Sequence, residues 1–155
     1  MHPNAQRIAD FYAAFQRRDG AAMAACYHRE VEFSDPVFPD LRGERAGAMW
    51  RMLCQRATDL EVAARDITAD DTRGSAAWDA RYTFGDTGRR VHNRITATFD
   101  FEDGLIRRHR DDFDLYRWAR QALGPVGVVL GWTPLVRNKI RHTAGGALDR
   151  FVAGG

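Results

Sequence analysis

The stretch Trp78-Asp79-Ala80-Arg81-Tyr82-Thr83-Phe84, followed by Gly85-Asp86-Thr87-Gly88 and then Val91-His92-Asn93-Arg94-Ile95-Thr96-Ala97-Thr98-Phe99-Asp100-Phe101, decides the fold class. Apolar and polar side chains alternate with a period of two, which is the signature of strands with one buried face. The glycine-rich segment between them reads as a turn. Glu102-Asp103-Gly104 reads as a second hairpin turn. The following strand carries Leu105, His109, Asp111 and Phe113 on one side and Arg108, Arg110 and Asp112 on the other.

Towards the N-terminus the period changes to that of a helix. Ile8, Phe11, Tyr12 and Phe15 follow one helical face, with Asn4 as the predicted N-cap and Asp19-Gly20 as the stop. A short second helix carries Met23, Cys26 and Tyr27 on one side. Val31-Glu32-Phe33-Ser34-Asp35 alternates like a strand and ends at Pro36. Gly43 precedes a third helix with the stripe Ala46, Met49, Trp50, Leu53, Cys54 and Ala57, and residues 61–69 read as a strand.

After the sheet, Asp114 is the predicted N-cap of a helix that Gly124-Pro125 ends. The tail is apolar up to Trp132. Thr133-Pro134 then opens an amphipathic helix with Val136, Ile140, Leu148 and Phe151 as buried candidates and a break at Gly145-Gly146. Helices first, then a meander of strands, then helix again predicts an α+β fold with helices packed on an antiparallel sheet. Residues 1–124 form the predicted domain, and 125–155 a helical extension whose default is to pack on it, the alternatives being to cover a pocket mouth, extend a dimer or engage a membrane surface.

Composition narrows the function. The chain has 155 residues, is 45% apolar and carries a net charge of +2. That is enough to bury a core, and its interspersed charges do not form the basic face of a nucleic-acid binder. No run reaches the apolar length of a membrane span. The first residues lead straight into an amphipathic pattern without a charged-then-apolar leader, so the expected location is cytoplasmic. Cys26 and Cys54 fall on apolar helix faces and read as reduced, buried thiols. No phosphate loop, dinucleotide fingerprint or metal-ligand spacing is present, so neither a cofactor nor a metal is expected.

Several polar residues sit on inward faces: Tyr12, Asp35, Asn93, His109 and Asp111. A buried polar group needs a partner or a wet cavity. A carboxylate in an apolar pocket gains basicity, a tyrosine can donate to a developing oxyanion, and a histidine beside a carboxylate can shuttle a proton. The plainer alternatives are a turn role for Asp35 before Pro36, a structural pair for His109 and Asp111, and a core role for Tyr12.

These features together resemble the NTF2-like superfamily, and within it the SnoaL-like and ketosteroid-isomerase-like proteins. The carriers are Phe11-Tyr12-Ala13-Ala14-Phe15, Asp19-Gly20, Val31 to Val37, Gly43 opening a helix with Trp50, and the hairpins ending in His109-Arg110-Asp111 and Trp118-Ala119-Arg120. The resemblance covers roughly residues 5–123. It implies a cone of helices on a curved sheet, a pocket between them, and a homodimer through the outer sheet face around Arg94, Thr96 and Thr98. It implies Tyr12 as oxyanion donor and Asp35 as general base. That isomerase pairs its tyrosine with a protonated aspartate, and the aligned position here is Ala97. His109 and Asp111 resemble the acid–base positions of SnoaL-like cyclases and related dehydratases and hydrolases.

The expected function is therefore a cofactor-independent acid–base enzyme, an isomerase or cyclase, acting on a small, mostly apolar carbonyl compound. Phe15, Trp50, Trp78, Tyr82, Asn93 and Phe99 would line its pocket. The alternatives are a non-catalytic binding or association module on the same fold, and a dehydratase or epoxide-type hydrolase. The expected partners are a small apolar molecule and a second copy of the chain, with no nucleic acid and no membrane.

Overall fold

A computed structural model describes residues 1–154. The elements run α1 (Pro3–Gln16), α2 (Gly20–Ala25), β1 (Tyr27–Ser34), β2 (Leu41–Arg42), α3 (Glu44–Arg56), β3 (Glu61–Ala69), β4 (Arg73–Phe84), β5 (Arg89–Glu102), β6 (Leu105–Asp112), α4 (Leu115–Leu123), α5 (Pro125–Leu130) and α6 (Pro134–Gly154). The strands form one six-stranded sheet in the order β2-β1-β6-β5-β4-β3.

The meander β3 to β6 is antiparallel throughout, as the alternating stretch predicts. One pair departs from that expectation: β1 lies parallel to β6. The chain leaves β1 through β2, α3 and the meander, and β6 returns beside β1 in the same direction. The β5–β6 hairpin turns at Asp103 and Gly104, both with positive φ (55° and 73°). That is the left-handed pair a tight hairpin needs, and it explains the Asp-Gly dipeptide.

Apolar residues of α1, α3 and the concave sheet face meet in one core that includes Ile8, Phe11, Phe15, Met49, Trp50, Trp78 and Phe99. Local capping differs from expectation at α1. His2 caps it through its ring nitrogen, Pro3 occupies the first turn, and Asn4 instead donates to the carbonyls of Asp70 and Asp71. In α3 the buried residue beside Cys54 is Met52, while Leu53 lies outward. Asp114 caps α4 as predicted, and Gly124 ends it at φ 66°.

The tail forms α5 and then the long α6, which passes through Gly145 and Gly146 without a break. Leu148 is its one fully buried side chain, held in the core near α3, and Arg45 of α3 pairs with Asp149. The long neighbouring α3 surface supplies the packing that outweighs the propensity cost of two helical glycines.

Candidate functional site

β6 aims His109 and Asp111 inward because both lie on its core-facing side, two residues apart. His109 has no exposed surface and Asp111 retains 2%. Their side chains meet directly, Nε2 to Oδ1 at 2.8 Å. The other ring nitrogen of His109 lies 2.8 Å from the hydroxyl of Tyr27, on β1. Trp50 of α3 donates its indole N–H to that same hydroxyl at 2.7 Å.

The proton directions follow from these contacts. Trp50 can only donate, so the Tyr27 oxygen accepts from it and its own hydrogen is free to reach His109 Nδ1. Nδ1 then accepts, and Nε2–H donates to Asp111. Asp111 Oδ1 also lies 3.4 Å from the indole nitrogen of Trp78. The result is a continuous chain of buried polar groups, Trp50–Tyr27–His109–Asp111–Trp78, which links β1, α3, β6 and β4.

Rings surround this chain. Phe99 lies 4.4 Å from His109 between centroids, Phe33 5.0 Å and Phe11 5.5 Å. Phe15 touches both Trp50 and Trp78 edge-on. The rings expected to line a pocket, Phe15, Trp50, Trp78 and Phe99, are thus buried and belong to one aromatic cluster. The best-formed depressions among the described residues lie on the surface, one beside Thr68 to Ser75 and one beside α5. Neither is lined by Tyr12, Asp35, His109 or Asp111.

Tyr12 sits on the α1 face beside Trp78, their rings 5.7 Å apart. Its hydroxyl is buried with no hydrogen-bond partner among the described residues. Burial first, and then the nearby Asp111 and Tyr27, push it well above the usual tyrosine range. It therefore stays protonated, a donor without an acceptor.

Asp35 lies just past the end of β1 and is half-buried. Its Oδ1 accepts the backbone N–H groups of Val37 and Phe38 at 2.7 and 2.6 Å, so it does hold a turn, the one that runs from Asp35 through Pro36 to Phe38. Burial raises its carboxyl to about 7; the Phe38 N–H opposes this, the Asp111 charge adds to it, and the Val37 N–H opposes it again. The turn role and a basic carboxylate coexist, because only Oδ1 is committed.

Two expected lining residues stand apart. Tyr82 is half-buried and accepts the indole N–H of Trp118 at 2.7 Å. Asn93, paired with Ala80, is half-buried at the same end of the sheet. Both occupy the end of the sheet that α4 covers, away from the ring cluster around His109. The long inward row of β4 and β5 spans more than one neighbourhood, and alternation alone does not divide it.

Sequence reasoning missed Tyr27, which it placed on α2. Tyr27 has the parity of Val31 and Phe33, but exposed Arg29 interrupts the alternation. The pairing of β1 with β6 is irregular between Tyr27 and Glu32, so the strand slips there and lets Tyr27 turn inward.

His28, Glu102 and Asp103 bring ligand atoms within 4.8 Å of one another. Arg107 already supplies a cation to Glu102 at 3.2 Å, and no metal role is assigned to this surface group.

A family model for the SnoaL-like domain matches residues 8–109. The chain belongs to the SnoaL-like family, within the NTF2-like superfamily. Solved structures resemble this SnoaL-like chain over most of their length. A proposed polyketide cyclase from Xanthomonas campestris is 28% identical, with a TM-score of 0.62 over 76% of this chain and 98% of that one. An LEH-like epoxide hydrolase from M. tuberculosis is 24% identical, with a TM-score of 0.66 over 83% and 96%. An NTF2-like protein from Burkholderia thailandensis is 21% identical, with a TM-score of 0.68 over 81% and 100%. The latter two likenesses concern the SnoaL-like fold alone. No curated protein matches the chain.

Proposed function

We propose that this SnoaL-like protein is a cofactor-independent acid–base enzyme of the isomerase or cyclase type, acting on a small, mostly apolar compound that carries a carbonyl oxygen. Asp35 is the base, through its uncommitted carboxylate oxygen. Tyr12 donates to the substrate oxygen. His109 relays a proton and is oriented by Asp111 on one side and Tyr27 on the other.

One observation carries this reading: the buried Tyr12 hydroxyl without a partner. A buried donor left unpaired costs roughly 1–3 kcal/mol. Such a cost fits a group kept for an acceptor that arrives with a ligand. The resemblance to a proposed polyketide cyclase points the same way. Substrate entry on this reading requires the rings of Phe15, Trp50 and Trp78 to part. The homodimer through the outer sheet face, around Arg94, Thr96 and Thr98, belongs to the same proposal.

The test is proton exchange. Small cyclic ketones and polyketide-like diketones incubated with the protein in deuterated water should gain deuterium next to the carbonyl, followed by NMR. Asp35→Asn should abolish the exchange in a folded protein, and Tyr12→Phe should slow it by roughly a hundredfold or more. Unchanged exchange in folded Asp35→Asn discards the assignment of the base.

A second reading, a non-catalytic binding or association module, draws on the packed interior and the fully paired His109. It expects tight binding of an apolar ligand with no exchange at any position.

A further inference from the structure

α5 turns its smallest residues to the fold and its largest to solvent. Gly127 is buried against α4, where a Cβ would collide with the Ala119 carbonyl oxygen. Gly131, four residues on, faces the same way, its Cβ position 3.0 Å from that of Ala119. Positions four apart share a helix face, so the glycines form the docking stripe. Val126, Val128, Val129 and Leu130 are left exposed, and Trp132 and Leu135 extend the apolar surface. Val129 is 64% exposed, Trp132 65% and Leu135 80%. This reverses the usual amphipathic arrangement, and a contiguous exposed apolar patch marks an interaction surface.

The segment that carries the patch has charge of one sign. Residues 115–148 contain Arg117, Arg120, Arg137, Lys139 and Arg141 but no aspartate or glutamate, in a chain that has 21 acidic side chains. Beside α5 lies a shallow depression of about 430 Å³, lined by Arg89, Arg120, Gly124, Pro125, Val128 and Val129. Its two arginines are held in place. Arg89 donates to the Gln121 carbonyl at 2.8 Å, and the Arg120 guanidinium lies over the Tyr116 ring at 5.1 Å.

Exposed valines and leucines, a tryptophan and a cationic rim are what an anionic bilayer surface complements. A second copy of the chain suits the patch less well. Two-fold pairing would set these arginines against their own counterparts, with no acid in the segment to offset them. Among the described residues no helix is long and apolar enough to cross a membrane, so the contact would be peripheral.

We propose that residues 126–135 are a peripheral membrane anchor, laying Val129, Trp132 and Leu135 into the interfacial region of an anionic phospholipid bilayer while Arg89, Arg120 and Lys139 meet its phosphates. This takes up an alternative of the sequence reading, whose default packs the whole tail on the domain and assigns no membrane partner. The tail is tied to the domain by Gly127 and Gly131 against α4 and, further along, where Arg141 donates to the Pro36 carbonyl and Leu148 enters the core.

Vesicle flotation of the full chain tests this, using vesicles of roughly seven parts phosphatidylcholine to three parts phosphatidylglycerol, against phosphatidylcholine alone. The protein should float with the mixed vesicles at low salt and roughly tenfold less with the neutral ones. The double substitution Val129→Glu with Trp132→Glu should lower flotation by roughly tenfold or more, and Arg120→Ala with Lys139→Ala should erase the preference for anionic lipid. Brominated acyl chains should quench part of the wild-type tryptophan emission, and Trp132→Phe should remove that quenching. Absence of flotation by the wild type overturns the proposal, as does undiminished flotation of the double variant. A dimer seen by light scattering that the double variant splits, without vesicle binding, overturns it in favour of self-association.

Discussion

Ala97 of β5 and Asp111 of β6 are direct cross-strand partners, so the carboxyl of Asp111 stands beside the position where the resemblance leads one to look for an acid. Residues paired across an antiparallel ladder point to the same face. The acid absent from position 97 is thus offered one strand over, where Trp78 and His109 both reach it. Removing it orphans both. Asp111→Ala should lower stability by about 2–4 kcal/mol in urea unfolding. His109→Ala should cost less in that background than in the wild type, because the two losses overlap.

Tyr12 and Tyr27 make a matched pair of opposites. Tyr27→Phe leaves the Trp50 indole N–H and His109 Nδ1 unpartnered, and should cost about 1–3 kcal/mol. Tyr12→Phe removes a hydroxyl that has no partner, and should leave stability unchanged or raise it by up to about 1 kcal/mol. Thermal unfolding of the two variants side by side measures the contrast.

On the proposed mechanism, Asp35 should make stability and proton exchange move in opposite directions with pH. Its folded carboxyl titrates at about 7, above the unfolded value. Such a group stabilises the fold when protonated. Its contribution is complete below about pH 4 and is lost as pH rises through 7. Asp35→Asn keeps the acceptor for the Val37 and Phe38 N–H groups but cannot ionise. It should melt higher than wild type above about pH 8, with the difference vanishing towards about pH 4. Wild-type proton exchange should rise through the same interval in which wild-type stability falls.

Gly127→Ala forces a methyl group onto the Ala119 carbonyl. α5 must shift off α4, and the variant should lose about 1–3 kcal/mol by chemical denaturation. Gly145→Ala, where a Cβ meets nothing within 4 Å, should instead be neutral or stabilising.

The sequence made the architecture legible because the two periodicities are clean. Ile8 to Phe15 and Trp78 to Phe101 each declare one buried face, and Asp103-Gly104 and Asp114 mark their boundaries by local chemistry. The inward placement of Tyr12, His109 and Asp111 followed from the same patterns. Four things were not legible. The parallel β1–β6 pair depends on a contact between residues far apart in the chain. Tyr27 was hidden by a strand irregularity at exposed Arg29. Whether Phe15, Trp50, Trp78 and Phe99 would line a void or fill it depends on how their rings interlock, which patterning does not encode. The outward valines of α5 contradict the rule by which apolar residues are assigned to the interior.

The parallel junction of β1 with β6 has a bearing on biosynthesis. Tyr27 leaves the ribosome early, whereas the histidine that takes its hydrogen bond and the aspartate behind it come 82 and 84 residues afterwards. A nascent chain halted in the β5–β6 hairpin would hold α1 to α3 and most of its meander yet lack both His109 and Asp111. On the proposed mechanism, proton transfer must therefore wait until the final strand docks, and a chain truncated before it should exchange no protons.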